Sequence, residues 1–209
     1  TSFLNGVERA HGVDFSAGLP AGYEVLGALL NAVIEGVHPA FEVAKLEGDA
    51  VFAVAAAEGL DGHGEAVLDR LLVVYRAFYV VREERKRSAT DHLCTGCPVV
   101  GSLDLKMVLH RGQAVRQTVG ANPELLGPAV NLAHRLLKNS IQSRFGYRAY
   151  VFVSDAAATG LGLTGIGVEH LEEYPDAGQI QGRVIEVGEN SPEAASRGLD
   201  GANLHLNGQ

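Results

Sequence analysis

Two short apolar stretches, Phe41–Leu46 and Ala50–Ala56, are separated by only three residues, Glu47-Gly48-Asp49. Strand-length runs joined by a glycine-bearing turn predict an antiparallel hairpin, because glycine adopts the backbone geometry of a tight reversal without steric cost. Asp49 then stands at the hairpin tip. The flanks carry a different period. Leu19, Tyr23, Leu26, Leu30, Val33 and Val37 recur every three or four residues, which predicts a helix over 19–37, and residues 1–11 read as another. From Glu65 to about Arg85 a long helix is expected to bury Val67, Leu68, Leu71, Leu72, Tyr75, Phe78 and Tyr79. Its charged end, Arg82-Glu83-Glu84-Arg85-Lys86-Arg87, reads as a solvated terminus.

Further along, Leu103–Leu109 alternates apolar and polar residues, turns at Arg111-Gly112 and is followed by Ala114–Val119, which predicts a second hairpin. Gly127 precedes Pro128, and proline is favoured at the first helical position, so a helix begins there. Tyr150–Ser154 reads as a strand, Asp155–Gly160 as a short helix, and Val168–Leu171 with Val184–Val187 as a closing pair of strands. Residues 191–209, rich in Gly, Asn and Ser, read as a flexible tail. The order helix, hairpin, helix, hairpin, helix, strand predicts an α+β sandwich over residues 1–190, mostly antiparallel, with helices packed on the sheet and a further strand expected before Thr1.

Composition narrows the function classes. With 46% hydrophobic and 20% charged residues, the 209-residue chain is an ordinary globular domain. A formal charge of −8 repels polyanions, so nucleic acid is not an expected partner. No apolar run reaches the roughly 18 to 20 residues of a membrane span, and the first residues lack a basic region followed by an apolar stretch, which points to the cytoplasm. Cys94 and Cys97, with His92 just upstream, make half a zinc site. Either two subunits share one metal across a twofold axis, or the segment is a turn carrying two reduced thiols.

The helix starting at Pro128 holds the chemistry. Val130, Ala133, Leu137 and Ile141 define an apolar face, while Asn131, Arg135 and Lys138 fall on the opposite one. An amide and two cations facing away from the core suit a triphosphate, and the hairpin-tip carboxylate of Asp49 suits a metal.

Three motifs carry a family resemblance. Lys45-Leu46-Glu47-Gly48-Asp49 resembles a Lys-x-x-Gly-Asp turn. Leu109-His110-Arg111-Gly112 resembles a His-x-Gly strand end. Gly127, Val130, Asn131, Ala133, Arg135 and Leu136 resemble a Gly-x-x-Val-Asn-x-Ala-x-Arg-Leu segment. All three belong to the class III adenylate/guanylate cyclase catalytic domain, and the chain most resembles the divergent bacterial cyclase-like proteins of unassigned function.

That resemblance implies a ferredoxin-like sandwich working as a head-to-tail homodimer, with a nucleoside triphosphate between subunits. ATP would be converted to cyclic AMP and pyrophosphate by attack of the ribose 3′-hydroxyl on the α-phosphate, assisted by a pair of Mg2+ or Mn2+ ions. Asp49 would ligate metal, with a second carboxylate expected upstream of Thr1. Arg135 would stabilise the crowded phosphorus, Asn131 would orient the ribose, and Lys45 with Glu124 would select the base. Glu124 stands where adenylate-specific members carry an Asp. The family's late phosphate-binding lysine has no match in Gln179-Ile180-Gln181-Gly182-Arg183, where Arg183 is the candidate. A second implied function is a catalytically silent cyclase-like nucleotide-binding or regulatory module.

Overall fold

The computed structural model describes residues 21–90 and 97–188, together with Ser16, Gly18 and Ser191. The helix expected over 1–11, Cys94 with His92, and the tail from 192 onward lie outside the described residues. Two compact units divide the chain, one drawn from 1–54 and 73–104, the other from 55–72 and 105–209. Among the described residues no helix is long and apolar enough to cross a membrane.

The first unit contains helix α1 (Ala21–Val37), strands β1 (Glu42–Glu47) and β2 (Ala50–Val54), and the part of helix α2 (Gly64–Thr90) from Val73 onward. The expected hairpin forms. Its register pairs Glu47 with Ala50, leaving Gly48-Asp49 as a two-residue turn. Gly48 has φ +62° and no described non-glycine residue has a positive φ, so the left-handed residue is the first central one. That is the primed geometry whose twist matches the flanking strands. Helix α1 buries Leu29, Ala32, Val33 and Val37. Gly36 allows its close approach to α2, since a Cβ there would lie 3.1 Å from the Val74 Cα.

The charged end of α2 differs from its expected solvation at one residue. Arg82 is buried, donating from Nη1 to the Leu103 carbonyl at 3.0 Å and pairing with Glu83 and Asp104 at 3.2 and 3.5 Å. Its guanidinium also lies 4.7 Å from the centroid of the Tyr79 ring. The cation is tolerated because a carbonyl, two carboxylates and a ring face replace its water.

In the second unit, β3 (Lys106–Leu109), β6 (Tyr150–Ser154), β8 (Gly178–Glu186) and β7 (Val168–Tyr174) form one sheet in the order β3-β6-β8-β7. The β3–β6 pair is parallel and the other two pairs are antiparallel. All five residues of β6 are buried, as a central strand covered on both faces requires. Strands β4 (Val115–Val119) and β5 (Asn122–Leu126) make a separate antiparallel ladder.

The second expected hairpin is therefore corrected. Leu103–Leu109 does not pair with Ala114–Val119; β3 runs beside β6, and β4 folds onto β5 instead. The turn is Gly120-Ala121, with Gly120 at φ +62°, a two-residue reversal that the longer Arg111-Gly112 loop cannot match. Glu124 consequently lies on a strand, opposite Gln117.

Helix α3 (Pro128–Leu136) is followed by the short helix α4 (Ile141–Phe145), and α5 (Asp155–Leu161) follows β6. Leu136, Ile141, Tyr150, Phe152 and Val184 form a buried cluster, with Tyr174, Leu132 and Ile180 packed against it. Leu137, expected on the apolar face, is 37% exposed, and Leu136 is 0% exposed in its place. The helix ends at Leu136 and the chain turns, so the 3.6-residue period stops applying one position earlier than the pattern suggests. Leu136→Ala should therefore cost about 2–5 kcal/mol in urea unfolding, while Leu137→Ala should cost less than about 1 kcal/mol.

Candidate functional site

Helix α3 begins where two glycines admit a close crossing. Gly127 has φ +144°, a region that favours glycine, and a Cβ on it would lie 2.8 Å from the Gln113 carbonyl oxygen. A Cβ on Gly112 would lie 2.6 Å from the Ala129 Cβ. The loop leaving β3 therefore runs directly against the first turn of α3, bringing the His-x-Gly motif and the Gly-x-x-Val-Asn motif together. His110 Nδ1 is 2.9 Å from Ser154 Oγ, which accepts from the Ala157 N–H and so caps α5. Burial holds the His110 pKa below its ordinary value, favouring the neutral ring. Arg111 forms a two-pronged pair with Asp61, its Nη2 lying 3.1 Å from Oδ2, and its guanidinium fills the space that a side chain at Gly160 would take.

On α3, Asn131 is exposed and Arg135 is half-buried, four residues apart on one helix face. The Arg135 guanidinium pairs with Asp176, in the turn joining β7 to β8. The Arg135 carbonyl accepts from the Tyr174 hydroxyl at 3.2 Å. Lys138 is exposed beyond the helix end, and Glu124 is half-buried on β5. In the first unit, Lys45 on β1 lies 2.6 Å from the Glu47 carboxylate and 5.8 Å from the centroid of the Phe52 ring, and Asp49 is exposed in the turn. The five expected site residues thus divide: Lys45 and Asp49 share one hairpin, whereas Glu124, Asn131 and Arg135 belong to the other unit. Arg183 pairs with Glu169 at 2.9 Å across β7 and β8.

Among the described residues no group of three or more His, Cys, Asp or Glu side chains could hold a metal ion. Asp49 offers a single carboxylate, which does not by itself fit a two-ion site.

A buried polar network beneath α3 has no counterpart in the sequence pattern. His170 and Glu172 are 4% and 7% exposed, with His170 Nε2 2.5 Å from Glu172 Oε1. The same oxygen accepts from the Ser140 N–H at 2.7 Å and the Ser140 hydroxyl at 2.8 Å. Next to it, Asn139 donates to the Leu136 carbonyl at 2.7 Å and accepts from the Tyr150 hydroxyl at 2.7 Å. His170, Glu172 and Tyr174 are alternate residues of β7, so one strand face anchors the turn that ends α3. The grouping is not a hydrolytic triad. Ser140 and Glu172 both address the same ring nitrogen, and His170 Nδ1 is buried without a partner beside the Phe145 and Phe152 rings.

Burial pushes the Glu172 pKa up, but the bonds from His170 and Ser140 outweigh it and hold the carboxyl below its ordinary value. With the folded value depressed, this charge adds stability that is fully present above the unfolded glutamate range and is lost as pH falls through the folded value. Denaturant midpoints followed from neutral pH into the acid range should accordingly fall less steeply for Glu172→Gln than for the native chain. The variant should also be less stable at neutral pH, by about 1–3 kcal/mol.

Compared with known proteins, the architecture is similar to two solved structures titled as a bacterial light-regulated adenylyl cyclase, with TM-scores of 0.54 and 0.52 at 16% identity. The alignments cover 90% and 86% of this chain but 50% and 48% of those chains. The fold is thus a cyclase-like α+β domain. Within that class, residues 26–145 match the family described as "Protein of unknown function (DUF2652)", and the chain belongs to it. An uncharacterized protein of Mycobacterium tuberculosis, Rv2561/Rv2562, is 35% identical over 137 residues, which make up 64% of this chain and 58% of that protein. The chain therefore spans between about half and three-fifths of the length of these relatives.

Proposed function

We propose that this chain is a nucleotidyl cyclase domain that converts ATP to cyclic AMP and pyrophosphate as a head-to-tail homodimer in the cytoplasm. One conjunction supports the reading: a fold similar to a light-regulated adenylyl cyclase carries, on its α3 helix, an exposed amide and a guanidinium one turn apart. In the reaction the ribose 3′-oxygen bonds to the α-phosphorus as its proton leaves, and the bond to the bridging oxygen of pyrophosphate breaks. Arg135 donates to the phosphate oxygens where charge grows, and Asn131 holds the ribose so that its 3′-oxygen lies in line. Lys45 and Glu124 select the base. Asp49 of one copy faces Asn131 and Arg135 of the partner subunit.

A divalent ion, Mg2+ or Mn2+, would neutralise triphosphate charge at Asp49, together with a second carboxylate from outside the described residues. A silent nucleotide-binding module is the second reading. It is favoured by the engagement of Arg135 with Asp176 and by the absence of a lysine in the Gln179–Arg183 segment.

Full-length protein incubated with ATP or GTP and Mn2+ or Mg2+ should yield a cyclic nucleotide by chromatography. Asp49→Ala and Arg135→Ala should each lower turnover by about 100-fold or more. Nucleotide binding without product moves the assignment to the silent module, and neither binding nor product overturns both readings.

A further inference from the structure

The guanidinium proposed to meet phosphate already holds an anion from its own chain. Arg135 pairs with Asp176, which sits in the three-residue connection between Tyr174 and Gly178, paired at the ends of β7 and β8. The strand end that leads into this turn is anchored in the core. Tyr174, two residues earlier, packs against the Leu136, Ile141, Tyr150, Phe152 and Val184 cluster, and its hydroxyl donates to the Arg135 carbonyl at 3.2 Å. Burial and the nearby Glu172 charge push the Tyr174 pKa up to about 12, so this donor keeps its proton throughout the physiological range. One hairpin therefore grips Arg135 at the main chain and at the side chain.

We propose that Asp176 is an intrachain placeholder for the phosphate, occupying Arg135 until a polyphosphate displaces it and thereby setting the anion affinity of the site. The inference rests on the reading of α3 as the triphosphate-binding helix. The pair is well suited to exchange. Its partners are 41% and 54% exposed, so the mutual attraction is screened by water and is weak enough to be broken by a ligand of higher charge. A carboxylate presents two oxygens to the guanidinium fork as a phosphate does, so displacement replaces one anion with another and leaves the arginine in place. Asn131, one turn before Arg135 on α3, and Lys138, just beyond the helix end, are both exposed and available to the remaining oxygens. A simple staple between hairpin and helix predicts a different result: loss of Asp176 would weaken the fold and leave anion affinity unchanged or lower.

The test is calorimetric titration of inorganic tripolyphosphate, and separately of ATP, into the full chain at low ionic strength. Asp176→Asn should bind about two- to five-fold more tightly than the native chain, and the advantage should shrink as salt is raised. Asp176→Glu, which retains the charge, should stay close to the native value. Introducing Arg135→Ala into both the native chain and the Asp176→Asn variant should abolish the difference between them. Native binding that depends on Arg135 but is not improved by Asp176→Asn overturns the placeholder and leaves the cyclase reading intact. Binding that is absent, or indifferent to Arg135→Ala, overturns the assignment of α3 to phosphate and with it the placeholder. A melting scan identifies the staple: a lower midpoint for Asp176→Asn with unchanged affinity counts against the proposal.

Discussion

The buried carboxylate of Glu172 is the interaction on which the second unit depends. It replaces its lost water with three donors, the Ser140 amide, the Ser140 hydroxyl and the His170 ring, and in doing so fixes the turn at which α3 gives way to α4. Without such a partner the Ser140 N–H, in the turn that follows α3, would lose its acceptor beside an apolar cluster. With it, Leu136 and Ile141 pack into that cluster, and the helix is held at a defined height on the sheet. Asn131 and Arg135 take their positions from this anchoring, although neither touches Glu172.

The other end of α3 is set by the absence of side chains. Gly112 and Gly127 let the loop after β3 cross the first helical turn at a distance that no Cβ would allow. The strand end bearing His110 is thereby fixed relative to the helix start, and His110 in turn meets Ser154, the cap of α5. Close backbone approach at the start of the helix and polar anchoring at its end leave it little freedom to tilt. Asn131 and Arg135 are therefore carried on a helix whose two ends are both fixed within the second unit.

Much of the architecture is legible in the residues. The β1–β2 hairpin follows from Gly48, the long α2 from its apolar periodicity, and the start of α3 from Gly127-Pro128. The departures share one cause: a distant partner decides where local pattern points elsewhere. Arg82 looks solvated within a charged run, yet the Leu103 carbonyl and Asp104 wait for it well along the chain. Leu103–Leu109 looks like the first arm of a hairpin, but its partner is β6, far downstream and parallel. Strand β7 inverts the usual rule outright, burying His170 and Glu172 while Leu171 is 39% exposed.

By itself the sequence determined the α+β class, the hairpin at Asp49 and the helix carrying Asn131 and Arg135, because each depends on spacing within a few residues and on the conformational demands of glycine and proline. Tertiary structure alone decided that Glu172 and His170 belong to the core and that Asp176 meets Arg135. Burial of a polar group becomes favourable only when its partners arrive from elsewhere in the chain, and no local pattern records that arrival.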